Sequence, residues 1–559
     1  MITGDGWSVL STRFSDKFNR PDREVCLLSL DAIIISEYEQ QSLSGSSPLR
    51  LQLDGRIADI QVVLNYISNN GKVVLPIDGD GVMSWSSAPK LNGIFLYSYL
   101  DSHNFNVALI NNYASERNRF LSLLNHNPKA VIISTTFVHR KNDLIELVED
   151  IRSLAPDIFV ISGGPFTYLS YLILQKSGDD IYNTSEIQDD FVFLGRQNPR
   201  IDLLIISPRG EKILAEALKR IKTNKTTKDL PNSAYLDGGK YCFGPRTDDF
   251  EPGEHFNIEW DRLPEDFFST GVIPMQASTG CPNKCAFCNF TKHPKLISLK
   301  QTKELISELE AVSLRGIEYV WFVDDNFRLG KTDLTKVCND IIDVNPGIKW
   351  MSFIHVESLR NVDLELLYES GCKELRFGLE SADPQILKNM NKKVDPLFAS
   401  KIIKKLLALG INCSCYFLIG FPGETEETVI KTIDYIKSLE HPNLKGMFTW
   451  SIYPFMLAPL SPIYEYASRK KYALTGYMNK WTHQTMSSDQ ARKHVVKAFA
   501  SLNKSGPIYR GDNLAMLEKL SSGQRKNFTI IRHNLSKLSL TTQLTENDII
   551  SSFRPILFP

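Results

Sequence analysis

The chain has 559 residues, which is too long for one hydrophobic core and predicts two to four domains. Apolar residues make up 42% and charged residues 23%, as in globular proteins, and 64 Lys and Arg balance 64 Asp and Glu. The zero formal charge argues against nucleic acid or an anionic membrane as the main partner. No signal-peptide core and no apolar run of the ~20 residues that span a bilayer is present, so we expect a cytoplasmic protein.

Residues 1–70 contain no repeat and no motif, and we treat them as an N-terminal extension of unknown role. From residue 71 to residue 225, short apolar runs alternate with helical stretches. This pattern is typical of a parallel sheet with helices on both faces and a ligand site at the carboxyl ends of the strands. We therefore predict a doubly wound, flavodoxin-like domain with strands KVVLP (72–76), NVALIN (106–111), AVIIST (130–135), IFVISGG (158–164) and LLIIS (203–207).

A polar segment over residues 226–265 is predicted to be a linker. Between residues 266 and 470, six apolar runs alternate with amphipathic helices, which predicts a partial (β/α)6 barrel and an α/β fold overall. Such barrels hold their chemistry at the carboxyl ends of the strands. The predicted strands are IPMQAST (273–279), YVWFVDD (319–325), WMSFIHV (350–356), ELRFGLE (374–380), CYFLIGF (415–421) and MFTWSIY (447–453).

Residues 471–559 are predicted to be mainly helical, with a helix over 487–504 whose N-cap is Ser487 or Ser488. The preceding stretch has two interpretations. It closes over the barrel and supplies His483 as a candidate catalytic residue, or Trp481 is a core anchor. Tyr453, at the end of the sixth barrel strand, is a second candidate catalytic residue, with simple packing as its alternative.

Three of the nine cysteines, Cys281, Cys285 and Cys288, form a C-x3-C-x2-C group directly after the first barrel strand. The odd, scattered set does not indicate a disulfide framework. A structural zinc site would need a fourth ligand, for which His293 is the nearest candidate. A four-cysteine iron–sulfur site would need another thiolate, and none lies nearby. Three thiolates leave a bound metal group with an open position, which suits chemistry better than structure.

The stretch GCPNKCAFCNF (280–290) resembles the signature of the radical S-adenosylmethionine (SAM) superfamily. VDDNF (323–327), FGLESAD (377–383) and FLIGFPGETEE (417–427) resemble further conserved stretches of that superfamily, in the same order along the barrel. The resemblance implies that the three cysteines bind a [4Fe–4S] cluster whose fourth iron binds SAM. It also implies that the reduced cluster cleaves SAM to a 5′-deoxyadenosyl radical, which abstracts a hydrogen atom.

The resemblance further implies which residues bind SAM. Phe287 would lie along the adenine, Glu380 and Ser381 would face the methionine or ribose, and Gly420 would let the backbone approach the adenine. Asp325 is a further candidate. Each has a structural alternative: Phe287 as core, Glu380 as a helix cap, Gly420 as part of a turn, and Asp325 as a solvated carboxylate.

A doubly wound domain ahead of such a barrel resembles the cobalamin-binding subgroup of the superfamily. The resemblance implies that the loops after the third and fourth strands cradle the corrin. The D-x-H-x-x-G motif, which supplies an axial histidine in many cobalamin proteins, is absent, and its expected place reads PIDGDGVMSW (76–85). His139 is expected to be a surface residue, and a domain that binds no corrin is the alternative. The cobalamin-binding candidates, small enough for close approach, are Thr135, Thr136, Gly163 and Gly164.

The leading hypothesis is a cobalamin-dependent radical SAM methyltransferase acting on an unactivated carbon or phosphorus of a metabolite or peptide. The second is a radical SAM enzyme that rearranges, cyclises, epimerises or oxidises its substrate, with a vestigial or auxiliary cobalamin domain. Methylthiolation of tRNA fits poorly, because the first 260 residues hold only Cys26 and Cys242. A third hypothesis is a non-catalytic, zinc-binding sensor. The expected partners are a small-molecule or peptide substrate and an electron donor such as flavodoxin or ferredoxin, without a membrane or nucleic acid.

Overall fold

A computed structural model of the chain describes residues 29–38, 49–73, 88–247, 257–289, 297–330, 334–509, 511–512 and 514–557. Over these residues the chain forms two seven-stranded sheets and three small ones. No helix in these ranges combines the length and apolar character needed to cross a membrane. The predicted fold class, a doubly wound domain followed by an open α/β barrel, is confirmed.

The first large sheet is doubly wound. In chain order the elements of this region are β1 (Ala32–Ile35), β2 (Gln52–Leu53), β3 (Arg56–Ile57), α1 (Ile60–Ser68), α2 (Leu91–Ser102), β4 (Val107–Ile110), α3 (Arg117–Leu124), β5 (Ala130–Ser134), α4 (Lys141–Leu154), β6 (Phe159–Gly163), α5 (Pro165–Leu174), α6 (Ser185–Asp190), β7 (Leu203–Ile205), α7 (Glu211–Lys222), β8 (Ser233–Asp237) and β9 (Lys240–Phe243).

The strand order of this sheet is β4-β1-β5-β6-β7-β8-β9. The first five strands are parallel, and β8 and β9 continue the sheet in antiparallel fashion. The chain passes from β1 to β4 toward one edge of the sheet, and from β5 to β6 toward the other edge. In doubly wound sheets this reversal opens a ligand crevice at the carboxyl ends of the two strands.

The predicted first strand, KVVLP at 72–76, was wrong, because β1 holds that place between β4 and β5. Lys72 and Val73 lie outside any strand, and residues 74–76 lie outside the described residues. The chain between β1 and α2 runs from residue 36 to residue 90, far longer than the few residues of an ordinary strand-to-helix loop. The predicted domain boundary at residue 71 therefore cuts through the doubly wound sheet.

The second large sheet is an open barrel of parallel strands. Its elements up to the sixth barrel strand are β10 (Val272–Met275), β11 (Ser278–Thr279), β12 (Ser298–Leu299), α8 (Thr302–Leu314), β13 (Tyr319–Phe322), α9 (Leu334–Val344), β14 (Lys349–Phe353), α10 (Leu364–Glu369), β15 (Cys372–Glu380), α11 (Pro384–Asn389), α12 (Pro396–Leu409), β16 (Asn412–Ile419), α13 (Glu426–Leu439) and β17 (Phe448–Pro454).

The rest of the chain is less helical than predicted. A three-stranded antiparallel sheet comes first, and a short strand, β21, later joins the barrel edge, so the barrel order is β10-β13-β14-β15-β16-β17-β21. Ser487, one of the two predicted positions, is the N-cap of the helix that begins at Ser488. Its hydroxyl accepts from the Gln490 N–H. The elements are α14 (Tyr466–Tyr472), β18 (Thr475–Tyr477), β19 (Lys480–His483), β20 (Met486–Ser487), α15 (Ser488–Ser501), β21 (Gly506–Pro507), α16 (Leu514–Leu517), α17 (Ser522–Leu538) and α18 (Glu546–Leu557).

A second hydrophobic core joins the two ends of the chain. Buried residues of α1 pack with buried residues of α17 and α18, including Phe528 and Phe553. Arg532, 1% exposed, donates to both carboxylate oxygens of Asp512 and to the Ala58 carbonyl. The part of the predicted N-terminal extension around α1 therefore shares a core with the predicted C-terminal region, which the sequence pattern did not indicate.

The doubly wound domain docks on the barrel through a tyrosine cluster. Tyr182 packs against Tyr464, with ring centres 5.2 Å apart, and accepts from the Leu460 N–H at 3.3 Å. The Tyr464 hydroxyl donates to the Ile181 carbonyl at 2.9 Å. The segment between α5 and β7 thus supplies a contact between the two large domains.

Candidate active site

Cys281, Cys285 and Cys288 lie on one loop, called the cysteine loop below. It begins at the carboxyl end of the first barrel strand and is closed at its base by a short hairpin. Strands β11 and β12 pair on either side of the loop. The buried Asp324 carboxylate, at the end of β13, accepts from the Ala277 N–H at 2.8 Å and from the Ser278 hydroxyl at 2.5 Å. Burial raises the pKa of Asp324 to about 7, although these hydrogen bonds oppose the shift. Asp324 therefore anchors the loop.

The middle of the cysteine loop is held by backbone hydrogen bonds from two other elements. The Ala286 N–H donates to the Met390 carbonyl at 2.7 Å, and the Ala286 carbonyl accepts from the Ile463 N–H at 2.8 Å. The Asn391 side chain donates to the Lys284 carbonyl at 2.7 Å. The loop is fixed by contacts outside the cysteines themselves.

The three predicted cluster ligands, like the other cysteines among the described residues, are not in disulfides. Cys285 is buried, and Cys281 and Cys288 are half-buried. Burial raises the pKa of the Cys285 thiol, the Lys392 ammonium opposes this shift, and Glu380 and Cys281 add to it. Over the described ranges, no three His, Cys, Asp or Glu side chains are gathered around a single metal-ion position, and His293 lies outside those ranges.

Glu380 lies on an irregular part of β15 and acts on the pKa of the Cys285 thiol. Its φ of +67° is in the left-handed region, and the pairing with β16 shifts register between Gly378 and Glu380. Its carboxylate is 3.4 Å from the Lys392 Nζ, and burial raises its pKa against the effect of that ammonium. Backbone strain of this kind is concentrated at functional sites. The next helix is capped by Asp383, so Glu380 does not have that alternative role.

The other predicted SAM-binding residues lie around the loop but differ in their contacts. Phe287 is half-buried and meets the Phe421 ring edge-on at 6.5 Å. Asp325 is exposed and accepts from the Gly280 N–H at 3.1 Å. Ser381 is buried, and its hydroxyl is 3.2 Å from the Thr432 hydroxyl on α13. Contact of these side chains with SAM stays a prediction.

Gly420, which follows β16, is required by both conformation and space. Its φ is +97°, and a Cβ there would be 2.5 Å from the Trp481 ring. Trp481 is buried and donates to the Phe455 carbonyl at 2.7 Å, which agrees with its interpretation as a core anchor. Whether the Gly420 backbone also faces adenine stays a prediction.

His483 holds the Gly420 loop from the same side. Its ring stacks on Trp481 at 5.2 Å and its Nε2 is 3.1 Å from the Gly420 carbonyl, so Nε2 is the protonated nitrogen. Its Nδ1 accepts from the Thr485 N–H at 3.3 Å. Burial lowers the pKa of His483. Both nitrogens are therefore occupied, and this geometry favours a positioning role over the predicted catalytic one.

Two buried residues of the site were not singled out from the sequence. Glu424, 0% exposed, accepts from the Gly420 N–H at 2.5 Å, and burial raises its pKa to about 8. It closes the loop from inside. The Lys392 ammonium acts on the Cys285 thiol and opposes the rise of its pKa. No spacing rule connects either residue with the cysteines, because folding alone brings them together.

The predicted cobalamin residues lie at the carboxyl ends of β5 and β6. Thr135 is buried and donates to the Gly163 carbonyl at 3.0 Å, whereas Thr136 is exposed and both glycines are half-buried. Gly164 has a φ of +117°, and a Cβ there would be 3.0 Å from the Thr135 hydroxyl oxygen. The glycine pair therefore serves a tight turn and leaves backbone accessible. Corrin binding by these residues stays a prediction.

The crevice between β1 and β5 is braced by Asn92. Its amide donates to the Ser36 carbonyl at 2.9 Å and to the Ser134 hydroxyl at 2.8 Å. PIDGDGVMSW does not follow the first strand, because β1 ends at Ile35, and the sequence after it, SEYEQQS, also lacks histidine. His139 is exposed, as expected.

Replacing Asp324 by alanine is expected to lower the free energy of unfolding by about 2 kcal/mol, because the Ala277 and Ser278 donors lose their buried acceptor. Urea unfolding of the cluster-free protein measures this change. The exposed Asp157, replaced in the same way, serves as control and should change stability by less than about 0.5 kcal/mol. Equal effects at the two positions would contradict the anchoring role of Asp324.

Comparisons with known proteins agree with this arrangement. The sequence model of a family described as the radical SAM superfamily matches residues 275–436. An uncharacterized methyltransferase of Pyrococcus horikoshii is 26% identical over 364 residues, covering 63% of this chain and 73% of the relative.

Two solved structures share the fold. The radical SAM methyltransferase TsrM from Kitasatospora setae, with tryptophan and a SAM analogue bound, has a TM-score of 0.56 at 14% identity, covering 94% of this chain and 98% of TsrM. The cobalamin-dependent SAM radical enzyme OxsB, with aqua-cobalamin bound, has a TM-score of 0.54 at 14% identity, covering 95% of this chain and 76% of OxsB.

Proposed function

We propose that this chain, which belongs to the radical SAM superfamily through residues 275–436, is a cobalamin-dependent methyltransferase. The observation that carries the proposal is the combination of two sites in one chain. A three-cysteine loop lies at the first barrel strand, and a doubly wound domain with an open crevice precedes it. The likeness to a methyltransferase in sequence and to a methyltransferase in fold supports it.

Cys281, Cys285 and Cys288 would bind the [4Fe–4S] cluster, and three cysteines outside any disulfide on a braced loop fit such a group. When bound, the cluster with SAM supplies one-electron cleavage to a 5′-deoxyadenosyl radical. Lys392 would bind the carboxylate of SAM, because its ammonium is close enough to act on the pKa of the Cys285 thiol. Glu380, 3.4 Å from that ammonium, would orient it and accept from SAM.

Thr136, Gly163 and Gly164 would line the cobalamin site, since their accessible backbone tolerates a large planar ligand. When bound, cobalamin carries the methyl group between SAM and the acceptor. The stretch between β1 and α2, residues 36–90, contains no histidine, so we propose that cobalamin binds without a lower axial histidine.

Replacing Gly164 by valine is expected to weaken hydroxocobalamin binding about tenfold, because a side chain at this φ is strained and crowds Thr135. Equilibrium dialysis with hydroxocobalamin measures the change. Gly178 is a matched control, because a Cβ there meets nothing within 4 Å. If Gly164→Val and Gly178→Val bind cobalamin equally well, the crevice does not hold the corrin.

The substrate is a small molecule, in keeping with the tryptophan bound to TsrM. We propose that a flavodoxin or ferredoxin supplies the electron, and that the protein works in the reducing cytoplasm, where free thiols persist. A peptide that enters the same site is the alternative substrate class.

The proposal is tested by incubating the anaerobically reconstituted protein with SAM, hydroxocobalamin and reductant. We expect both S-adenosylhomocysteine and 5′-deoxyadenosine, because methyl transfer and radical formation each consume SAM. Formation of 5′-deoxyadenosine alone, at every cobalamin concentration, would contradict methyl transfer and favour rearrangement or oxidation.

A further inference from the structure

The inner face of the barrel is more accessible than its outer face. Arg376, in the middle of β15, keeps 14% of its side chain exposed, whereas its neighbours Leu375 and Phe377 are completely buried. Successive residues of a strand point to opposite faces. A central strand can expose its inward side chain only if the barrel interior is open, so the lumen is not filled by side chains at this level.

Aromatic rings line this lumen. The Arg376 guanidinium lies 4.9 Å from the centre of the Trp321 ring and 5.7 Å from that of Phe353. The Phe353 and Tyr416 rings are 5.3 Å apart, and Tyr416 lies parallel to Tyr453 at 6.5 Å and 7°. Interiors of filled barrels are dominated by branched aliphatic residues instead. The half-buried rings lead from the carboxyl ends of the strands down to Arg376.

Arg376 has hydrogen-bonding capacity to spare. Its Nε donates to Glu374 at 2.7 Å, and the Tyr416 hydroxyl is a second partner. Glu374 also accepts from the Ser414 hydroxyl at 2.8 Å, which fixes it in place. A guanidinium carries five N–H donors in a planar fork that matches a carboxylate, and the two contacts named here do not use all five.

We infer that this lumen is the substrate-binding subsite, and that it takes a planar aromatic molecule with a carboxylate, the ring against Tyr416 and Tyr453 and the carboxylate on Arg376. The inference rests on the proposed function, because it places the substrate below the cysteine loop, within reach of the radical.

The test compares indole-3-acetate with 3-methylindole, which share the ring but differ in the carboxylate. Their binding to the anaerobically reconstituted full-length protein with SAM is measured by saturation-transfer NMR. We expect indole-3-acetate to bind at least about tenfold more tightly, as a charge-assisted contact implies. Equal affinities, or no saturation transfer to either molecule, would overturn the inference.

A double variant, Glu374→Gln with Arg376→Gln, removes both charges without leaving a lone buried carboxylate. It is expected to bind both molecules equally. The ion pair between the half-buried Glu357 and the exposed Arg360 is the control, and its double glutamine variant should keep the preference. Persistence of the preference in the Glu374→Gln, Arg376→Gln variant would also overturn the inference.

Uncoupled formation of 5′-deoxyadenosine from SAM is recorded on the same samples. If cleavage occurs and the carboxylate preference is absent, only the subsite is wrong. If cleavage fails in the unmodified protein, the proposed function is wrong whatever the binding data show. The two failures are therefore distinguishable.

Discussion

Replacing Cys285 by alanine is expected to abolish the iron–sulfur cluster and all cleavage of SAM. Cys285 is the most buried of the three thiols and is nearest to Lys392 and Glu380. Two remaining thiolates cannot bind a [4Fe–4S] cluster whose fourth iron is open to SAM. Iron content, visible absorbance and formation of 5′-deoxyadenosine measure the loss after anaerobic reconstitution.

Cys242→Ala is the matched control, because Cys242 is half-buried on β9 of the other domain. It is expected to keep iron content and SAM cleavage unchanged. A Cys285→Ala protein that still cleaves SAM at the original rate would contradict the assignment of the cysteine loop.

Replacing Lys392 by methionine is expected to weaken SAM binding about 100-fold, because the carboxylate of SAM loses its charged partner in a buried site. Calorimetric titration of the reconstituted protein with SAM measures the change. Lys393→Met is the control, because Lys393 is exposed and adjacent in sequence. Its SAM affinity should not change.

A second variant separates binding of SAM from simple pairing with Glu380. In Lys392→Met combined with Glu380→Gln, no lone buried carboxylate is left. The SAM affinity of this double variant is compared with that of Glu380→Gln alone, because Glu380 is itself proposed to contact SAM. If Lys392 only neutralised Glu380, these two variants would bind SAM equally. We expect the double variant to bind SAM more weakly, because it also lacks the cation that meets the carboxylate of SAM.

The barrel was predictable from the sequence, because each strand is a short apolar run and each intervening helix is amphipathic. The first strand of the doubly wound sheet was not. Ala32–Ile35 is as apolar as the other strands, but the long insertion before α2 made the nearer run at 72–76 the better match to an ordinary loop length. The shared core of α1, α17 and α18 was hidden for the same reason, since no local pattern links distant segments.

Some residues of the candidate site were predictable from the sequence and others were not. The cysteines were predictable because metal ligands on one loop keep a fixed spacing. Lys392 was not, since only the chain path from β15 through α11 brings it to Cys285. His483 was singled out for its chemistry, yet its hydrogen bond to Gly420 is a tertiary contact that no motif encodes. Composition identifies reactive side chains, but the fold decides which of them are free to react.

The most direct test of the central claim is the metal content of the full-length protein after anaerobic reconstitution with iron, sulfide and hydroxocobalamin. The account predicts about four irons and about one cobalt per chain after desalting. Four irons without cobalt would reduce the doubly wound domain to a scaffold and contradict the methyltransferase proposal. Zinc in place of iron would contradict the whole account.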